Sequence, residues 1–185
     1  MDAIKKFEQV HPQDKGKSIP APADVMAKYK STIPPLLAEL WEQSGFCSYG
    51  KGFIWLVNPD DYTTSTSHLF KDYEKPVCIM KTGIGGVFFL SGDAVHYFDP
   101  VAVEVSKLGS FSLKNVFNIV LTNEDSLSEF YYLPVFQEAY PRLGFPAYDE
   151  CYSFVPAIPL GGEISAALMQ KVKVREYLLL LSQIG

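Results

Sequence analysis

Val77-Cys-Ile-Met80, Val87-Phe-Phe-Leu90, Ala94-Val-His-Tyr-Phe98 and Val101-Ala-Val-Glu-Val105 are four short β-rich runs in close succession. Gly83, Gly85-Gly86, Ser91-Gly-Asp93 and Asp99-Pro100 punctuate them. Connections this short join antiparallel neighbours, because a parallel crossover needs a dozen residues or more. The stretch therefore predicts an antiparallel meander of about four or more strands. On both sides of it the apolar period becomes helical. Upstream, Leu36, Leu37, Leu40 and Trp41 share one face of a helix over Pro34 to Ser44, with prolines in its first turn and Gly45 to stop it. A shorter helix is predicted over Ala23 to Lys30, where Val25, Met26 and Tyr29 share a face. Downstream, Leu113, Val116, Phe117 and Val120 have helical spacing, and a second apolar stripe runs through Phe130, Leu133 and Phe136. Val174, Tyr177, Leu178 and Leu181 stand at i, i+3, i+4 and i+7, the pattern of an amphipathic C-terminal helix. A central antiparallel sheet flanked by N-terminal and C-terminal helices is an α+β arrangement rather than a series of βαβ units.

The 185 residues suffice for one domain with a sizeable core, and 48% hydrophobic with 20% charged residues excludes global disorder. No apolar run approaches the length of a membrane span, and the start of the chain lacks the apolar centre of a signal peptide. Cys47, Cys78 and Cys151 are odd in number and widely spaced, which fits reduced thiols. These features predict a cytoplasmic protein. The net charge of −5 disfavours direct nucleic-acid binding. Its distribution is uneven: the first thirty residues hold six lysines against four acidic residues, whereas Ser31 to Gln170 hold sixteen acidic residues against seven basic ones. The last fifteen residues are basic again through Lys171, Lys173 and Arg175.

Catalytic patterns are missing. Neither CxxC nor HExxH spacing occurs, His11, His68 and His96 are scattered, and no metal site or cofactor is predicted. His96 could serve as a general base, but Ser91 and Asp93 beside it do not make a triad and the GxSxG elbow is absent. Gly83, Gly85 and Gly86 fail the phosphate-loop spacings, Phe88 standing where a GxGxxG glycine would, and read as a hairpin turn. Pro59-Asp60 resembles the opening of a metal-dependent nuclease motif, whose acid-x-lysine half does not follow. Glu150 beside Cys151 disfavours a thiolate nucleophile. No catalytic residue and no enzymatic activity are predicted.

Three acidic clusters interleaved with aromatics remain: Asp60-Asp61-Tyr62, Asp72-Tyr73-Glu74, and Tyr148-Asp149-Glu150-Cys151-Tyr152. Carboxylates engage lysine and arginine of a basic protein, and tyrosines add rigid contact area. A solvated acidic surface with core tyrosines is the alternative.

Ile33-Pro-Pro-Leu-Leu-Ala-Glu-Leu-Trp-Glu-Gln-Ser-Gly-Phe46, Gly52-Phe-Ile-Trp-Leu-Val-Asn-Pro-Asp-Asp-Tyr62, Tyr148-Asp-Glu-Cys-Tyr-Ser-Phe-Val-Pro-Ala157 and Leu160-Gly-Gly162 together resemble GAD-like domain immunity proteins. Those proteins are similar to the antidotes encoded beside DNase effectors of type VI secretion systems. The Pro-Pro-Leu helix is also similar to the opening of the SUKH group. The resemblance implies a GAD-like part over residues 1–105 and an immunity-type part over 106–185. The continuous hydrophobic pattern across Ser106 to Ser112 predicts one compact unit.

What the resemblance implies is a cytoplasmic protein that binds a cognate toxin and blocks its active site or DNA access, with no catalysis and no cofactor. The candidate toxin contacts are Asp60, Asp61, Tyr62, Asp72, Tyr73, Glu74, Tyr148, Asp149, Glu150 and Tyr152. A nuclease cleft must attract phosphate and is therefore positive, which suits an acidic partner. Two alternatives stay open. One is a non-catalytic RNA- or synthetase-associated module related to GAD domains, using Lys171, Lys173, Arg175 and the N-terminal lysines. The other is a small hydrolase built on His96.

Overall fold

The computed structural model of the protein describes residues 2–108 and 112–184. Seven strands form one sheet in strict chain order: β1 Gln13–Ile19, β2 Phe46–Tyr49, β3 Ile54–Leu56, β4 Val77–Thr82, β5 Val87–Ser91, β6 Ala94–Asp99 and β7 Glu104–Lys107. Every adjacent pair is antiparallel. The meander is therefore present and extends three strands upstream of the runs that reveal it. Helices α1 Lys5–Val10, α2 Ala23–Tyr29 and α3 Pro35–Ser44 lie before β2, and α4 Leu113–Asn118, α5 Glu124–Glu129 and α6 Leu133–Leu143 follow β7. A two-stranded antiparallel sheet, β8 Glu150–Phe154 with β9 Met169–Lys173, precedes α7 Val174–Leu181. The Ser106–Ser112 junction includes residues 109–111, which lie outside the described residues.

The central strands are covered on both faces. All six residues of β4 and four of the five in β5 are buried, which is why Val77-Cys-Ile-Met80 and Val87-Phe-Phe-Leu90 are continuous apolar runs instead of alternating ones. On one face Ile54, Leu56, Ile79 and Phe88 meet Phe7, Leu37, Trp41, Val116, Phe117 and Phe136 from the helices. On the other, Trp55, Cys78, Phe89 and Phe98 meet Tyr62 and Phe70 of the long β3–β4 connection and Tyr177, Leu178 and Leu181 of α7. The sheet is thus the middle layer of three.

Two expectations shift. The strand expected over Val101 to Val105 begins at Glu104, because the Asp99 carboxylate accepts a hydrogen bond from the Val101 N–H at 2.8 Å and turns the chain there. Val101 enters the core at 7% exposure. The Phe130–Leu133–Phe136 stripe is broken by Tyr132 in the left-handed region, φ 54°, so Phe136 is buried while Phe130 stands 57% exposed.

The β4–β5 connection packs closely. A Cβ added at Gly83 would lie 2.4 Å from the Phe136 ring, so the absent side chain is what lets α6 sit on the sheet here. The Gly83 carbonyl also accepts from the Tyr152 N–H at 2.7 Å, tying β8 to this turn. The turn does structural work, as its sequence spacing indicates.

Candidate partner-binding surface

Asn58 follows the buried Val57 and caps a 3-10 turn over Pro59–Asp61, its side chain accepting from the Asp60 N–H at 3.1 Å. The turn projects Asp60 and Asp61 outward. Tyr148, in the turn before β8, reaches the same place: its hydroxyl accepts from the Asn58 N–H at 2.8 Å and donates to Asp61 Oδ2 at 2.9 Å. Its ring packs edge-on to Trp55 at 5.6 Å, and burial pushes the phenol's pKa up. The first and third acidic clusters, 87 residues apart at Asp61 and Tyr148, therefore form one surface.

That surface is less acidic than its sequence. Asp60 accepts from Lys28 and, at 2.6 Å, from the Tyr29 hydroxyl, and the Lys28 hydrogen bond holds its carboxyl below the usual range. Asp149 pairs with Lys173 at 2.6 Å, a hydrogen bond that likewise lowers its pKa. Glu150 lies 3.7 Å from Lys173 and 3.9 Å from Lys171. The basic ends of the chain fold back onto its acidic centre. Solvent screens such exposed pairs, so they add little to stability.

The second cluster lies apart, beside the β5–β6 half of the sheet. Asp72 and Glu74 are exposed, and among the described residues neither has a salt-bridge partner. Tyr73 is half-buried, edge-on to Phe89 at 5.1 Å and to His96 at 4.8 Å. Tyr62 and Tyr152 are core residues at 1% and 0% exposure, and the Tyr152 hydroxyl donates to the Gly144 carbonyl. Both rings therefore belong to the core rather than to the exposed part of either cluster.

Lys81, which sequence reading passed over, lies beneath this surface. It is fully buried on β4, donates to the Glu150 carbonyl at 2.6 Å and sits 5.7 Å from the centre of the Trp55 ring. Burial pulls its pKa down to about 8. The neighbouring Cys151 thiol is pushed up to about 12, by burial first and by Glu150 only as the last cause. The acidic neighbour named from sequence acts in the right direction as a minor contributor. The one signal for Lys81 was a lone cation closing the Val77-Cys-Ile-Met-Lys81 run.

His96 is 7% exposed, stacked on Phe89 at 5.0 Å, and burial lowers its pKa. Its setting is an aromatic core on β6. Among the described residues no group of three or more His, Cys, Asp or Glu side chains is placed to hold a metal ion. No helix among them is long and apolar enough to cross a membrane.

Residues 3–94 match a family model described as GAD-like domain, and residues 112–185 match one described as T6SS immunity protein Tdi1, C-terminal. No curated protein matches the chain. Among solved structures the chain is similar to the crystal structure of Atu4351 from Agrobacterium tumefaciens, with a TM-score of 0.79 over 98% of this chain and 89% of that one. At 14% identity that likeness shows a shared fold.

Proposed function

The chain belongs to the GAD-like immunity proteins of type VI secretion systems, and from that membership we propose that it works in the cytoplasm, binding and neutralising a cognate toxin without catalysis. The observation that carries the proposal is the match of residues 112–185 to the C-terminal domain of a type VI immunity protein. The toxin we propose is a nuclease with a basic cleft, blocked at its active site or at its access to DNA. The net charge of −5 supports this, because an acidic protein competes for a cleft that attracts phosphate.

Residues 1–105 and 106–185 are proposed to act as one body. Phe7 packs edge-on to Phe117 at 4.9 Å, and the His11 ring nitrogen Nε2 meets the Leu121 carbonyl at 2.9 Å, contacts that support the unit. The proposed contacts are the accessible members of the acidic clusters: Asp60, Asp61, Tyr148, Asp149 and Glu150 on one surface, with Asp72, Tyr73 and Glu74 on the second.

Asp72 and Glu74 test the electrostatic part without touching an ion pair. The double variant Asp72→Ala/Glu74→Ala is expected to associate with the toxin about tenfold more slowly at low salt, and the deficit should vanish at high salt. Stopped-flow association rates over a salt series decide it. Equal on-rates for variant and wild type at low salt would remove these residues from the steering surface.

A further inference from the structure

A groove between α6 and the β1–β2 edge of the sheet is left unused by the contacts above. It encloses about 500 Å3, walled by Leu133, Phe136 and Tyr140 on one side and by Val10, Pro12 and Gly50 on the other. One wall comes from the segment matching the immunity domain and the other from the segment matching the GAD-like domain.

His11 lies in this groove at 2% exposure, its ring between Phe7 at 5.2 Å and Phe53 at 5.7 Å. Nε2 is 2.9 Å from the Leu121 carbonyl oxygen. A carbonyl only accepts, so Nε2 carries the proton and donates. Burial lowers the imidazole's pKa more than the Leu121 bond raises it, so the ring is neutral at pH 7 and Nδ1 is a bare lone pair. Among the described residues Nδ1 has no hydrogen-bond partner. It faces Gly50, where an added Cβ would lie 3.0 Å from it. Glycine at this position, φ +64°, puts no side chain over the lone pair.

The rim carries one charge of each sign. The Lys51 ammonium lies 5.6 Å from the centre of the Tyr140 ring. The Asp14 carboxylate accepts from the Ser48 hydroxyl at 2.8 Å and from the Lys51 and Gly52 N–H groups at 2.9 and 2.8 Å. Opposed charges at the rim, aromatic walls and one acceptor at the floor fit a neutral aromatic ring bearing an N–H or O–H donor.

We propose that this groove docks the cognate toxin by receiving a tryptophan or tyrosine side chain whose donor bonds to His11 Nδ1, an assignment that rests on the immunity reading. Buried aromatic anchors in pockets dominate protein interfaces. The chain leaving α6 leads through Gly144 to Pro146 into the Tyr148 turn, so a partner lying along α6 meets the groove and then the surface of Asp60, Asp61, Asp149 and Glu150.

The test has two arms on the full chain. In the first, indole and 1-methylindole are titrated while the His11 ring nitrogens are followed by 15N NMR. Indole should shift Nδ1, and 1-methylindole, which lacks the donor, should bind about fivefold more weakly. In the second, Gln137→Trp, an exposed position on the groove's α6 wall, should weaken the complex with the product of the adjacent gene, taken as the proposed toxin, about tenfold. Its thermal melting should be unchanged. Silence of His11 towards indole overturns the proposal. Indole binding at His11 with toxin affinity unchanged in Gln137→Trp also overturns it, and identifies a small-molecule pocket. If wild type forms no toxin complex, the immunity reading fails and the docking assignment fails with it; if wild type binds and Gln137→Trp binds equally, only the docking assignment fails.

Discussion

A chain truncated after Lys173 is expected to lose cooperative folding altogether. The removed helix α7 buries Val174, Tyr177, Leu178 and Leu181 to 1%, 6%, 0% and 0% exposure. Fully burying an apolar side chain of this size contributes about 1.5–3 kcal/mol, so these four supply roughly 6–12 kcal/mol. Folded domains hold only about 5–15 kcal/mol in total. The loss also uncovers Trp55, Phe89 and Phe98 on that face of the sheet and removes the Val174 N–H that bonds the Asp149 carbonyl at 3.0 Å. Circular dichroism on heating should show no cooperative transition for the truncated chain. A sharp transition near that of the full chain would mean that the face α7 covers is not part of the core.

Replacing Lys81 by methionine is expected to stabilise the protein at pH 7 and to lose that advantage as the pH rises. Burial holds the ammonium's pKa at about 8 against a reference of 10.5, a difference that corresponds to about 3 kcal/mol. Below pH 8 both folded and unfolded wild type carry the charge, and burying it is a full cost to the fold. Between about pH 8 and pH 10.5 the folded lysine gives up its proton while the unfolded one keeps it. Wild type therefore gains relative to Lys81→Met across this window, and loses that gain again as the pH falls through 8. The variant leaves the Glu150 carbonyl without its Lys81 donor, which costs about 1–3 kcal/mol, so the net advantage at pH 7 is about 0–2 kcal/mol. Lys81 lowers the Cys151 thiol against the larger effect of burial, which holds it at about 12, above the pH range compared, and the other buried thiols and tyrosines are common to both proteins. Urea midpoints from pH 7 to pH 10 should converge or cross. A gap independent of pH would contradict the buried charge.

The parts of this fold that could be read from the chain are those where burial writes a pattern. Strands β4 and β5 announce themselves because both faces are covered, and α3 and α7 because one face of each is apolar. β1, by contrast, is an edge strand of Gln-Asp-Lys-Gly-Lys-Ser-Ile whose residues are almost all exposed, so no apolar alternation marks it. A register irregularity between Gln13 and Ser18 blurs it further. β2 and β3 are four and three residues long and buried throughout, too short to establish a period. β8 begins inside the Tyr148–Tyr152 cluster, where an acidic stretch looks like surface although Cys151, Tyr152, Ser153 and Phe154 are buried.

The acidic clusters were visible as composition, but their neutralisation was not. Lys28 meets Asp60 across 32 residues and Lys173 meets Asp149 across 24, and no local rule of sequence spacing reaches that far. Lys171 and Lys173, two of the cations on which an RNA-binding alternative rests beside Arg175 and the N-terminal lysines, are engaged by Asp149 and Glu150. His96 similarly passes from candidate base to stacked core residue once Phe89 and Tyr73 are placed around it. The groove at His11 depends on β1, α6 and Gly50 meeting, and the histidine alone gave no sign of it.

Neutralisation by direct binding is measured by joining two readouts on one pair of proteins. The chain is co-expressed with the product of the adjacent gene as the proposed toxin, purified through a tag on either partner, and assayed for survival of cells making that product. A stable complex at fixed stoichiometry and rescue of growth are expected, with both lost together when binding is weakened. Rescue without a complex, or a complex that leaves the toxin lethal, would contradict neutralisation by direct binding.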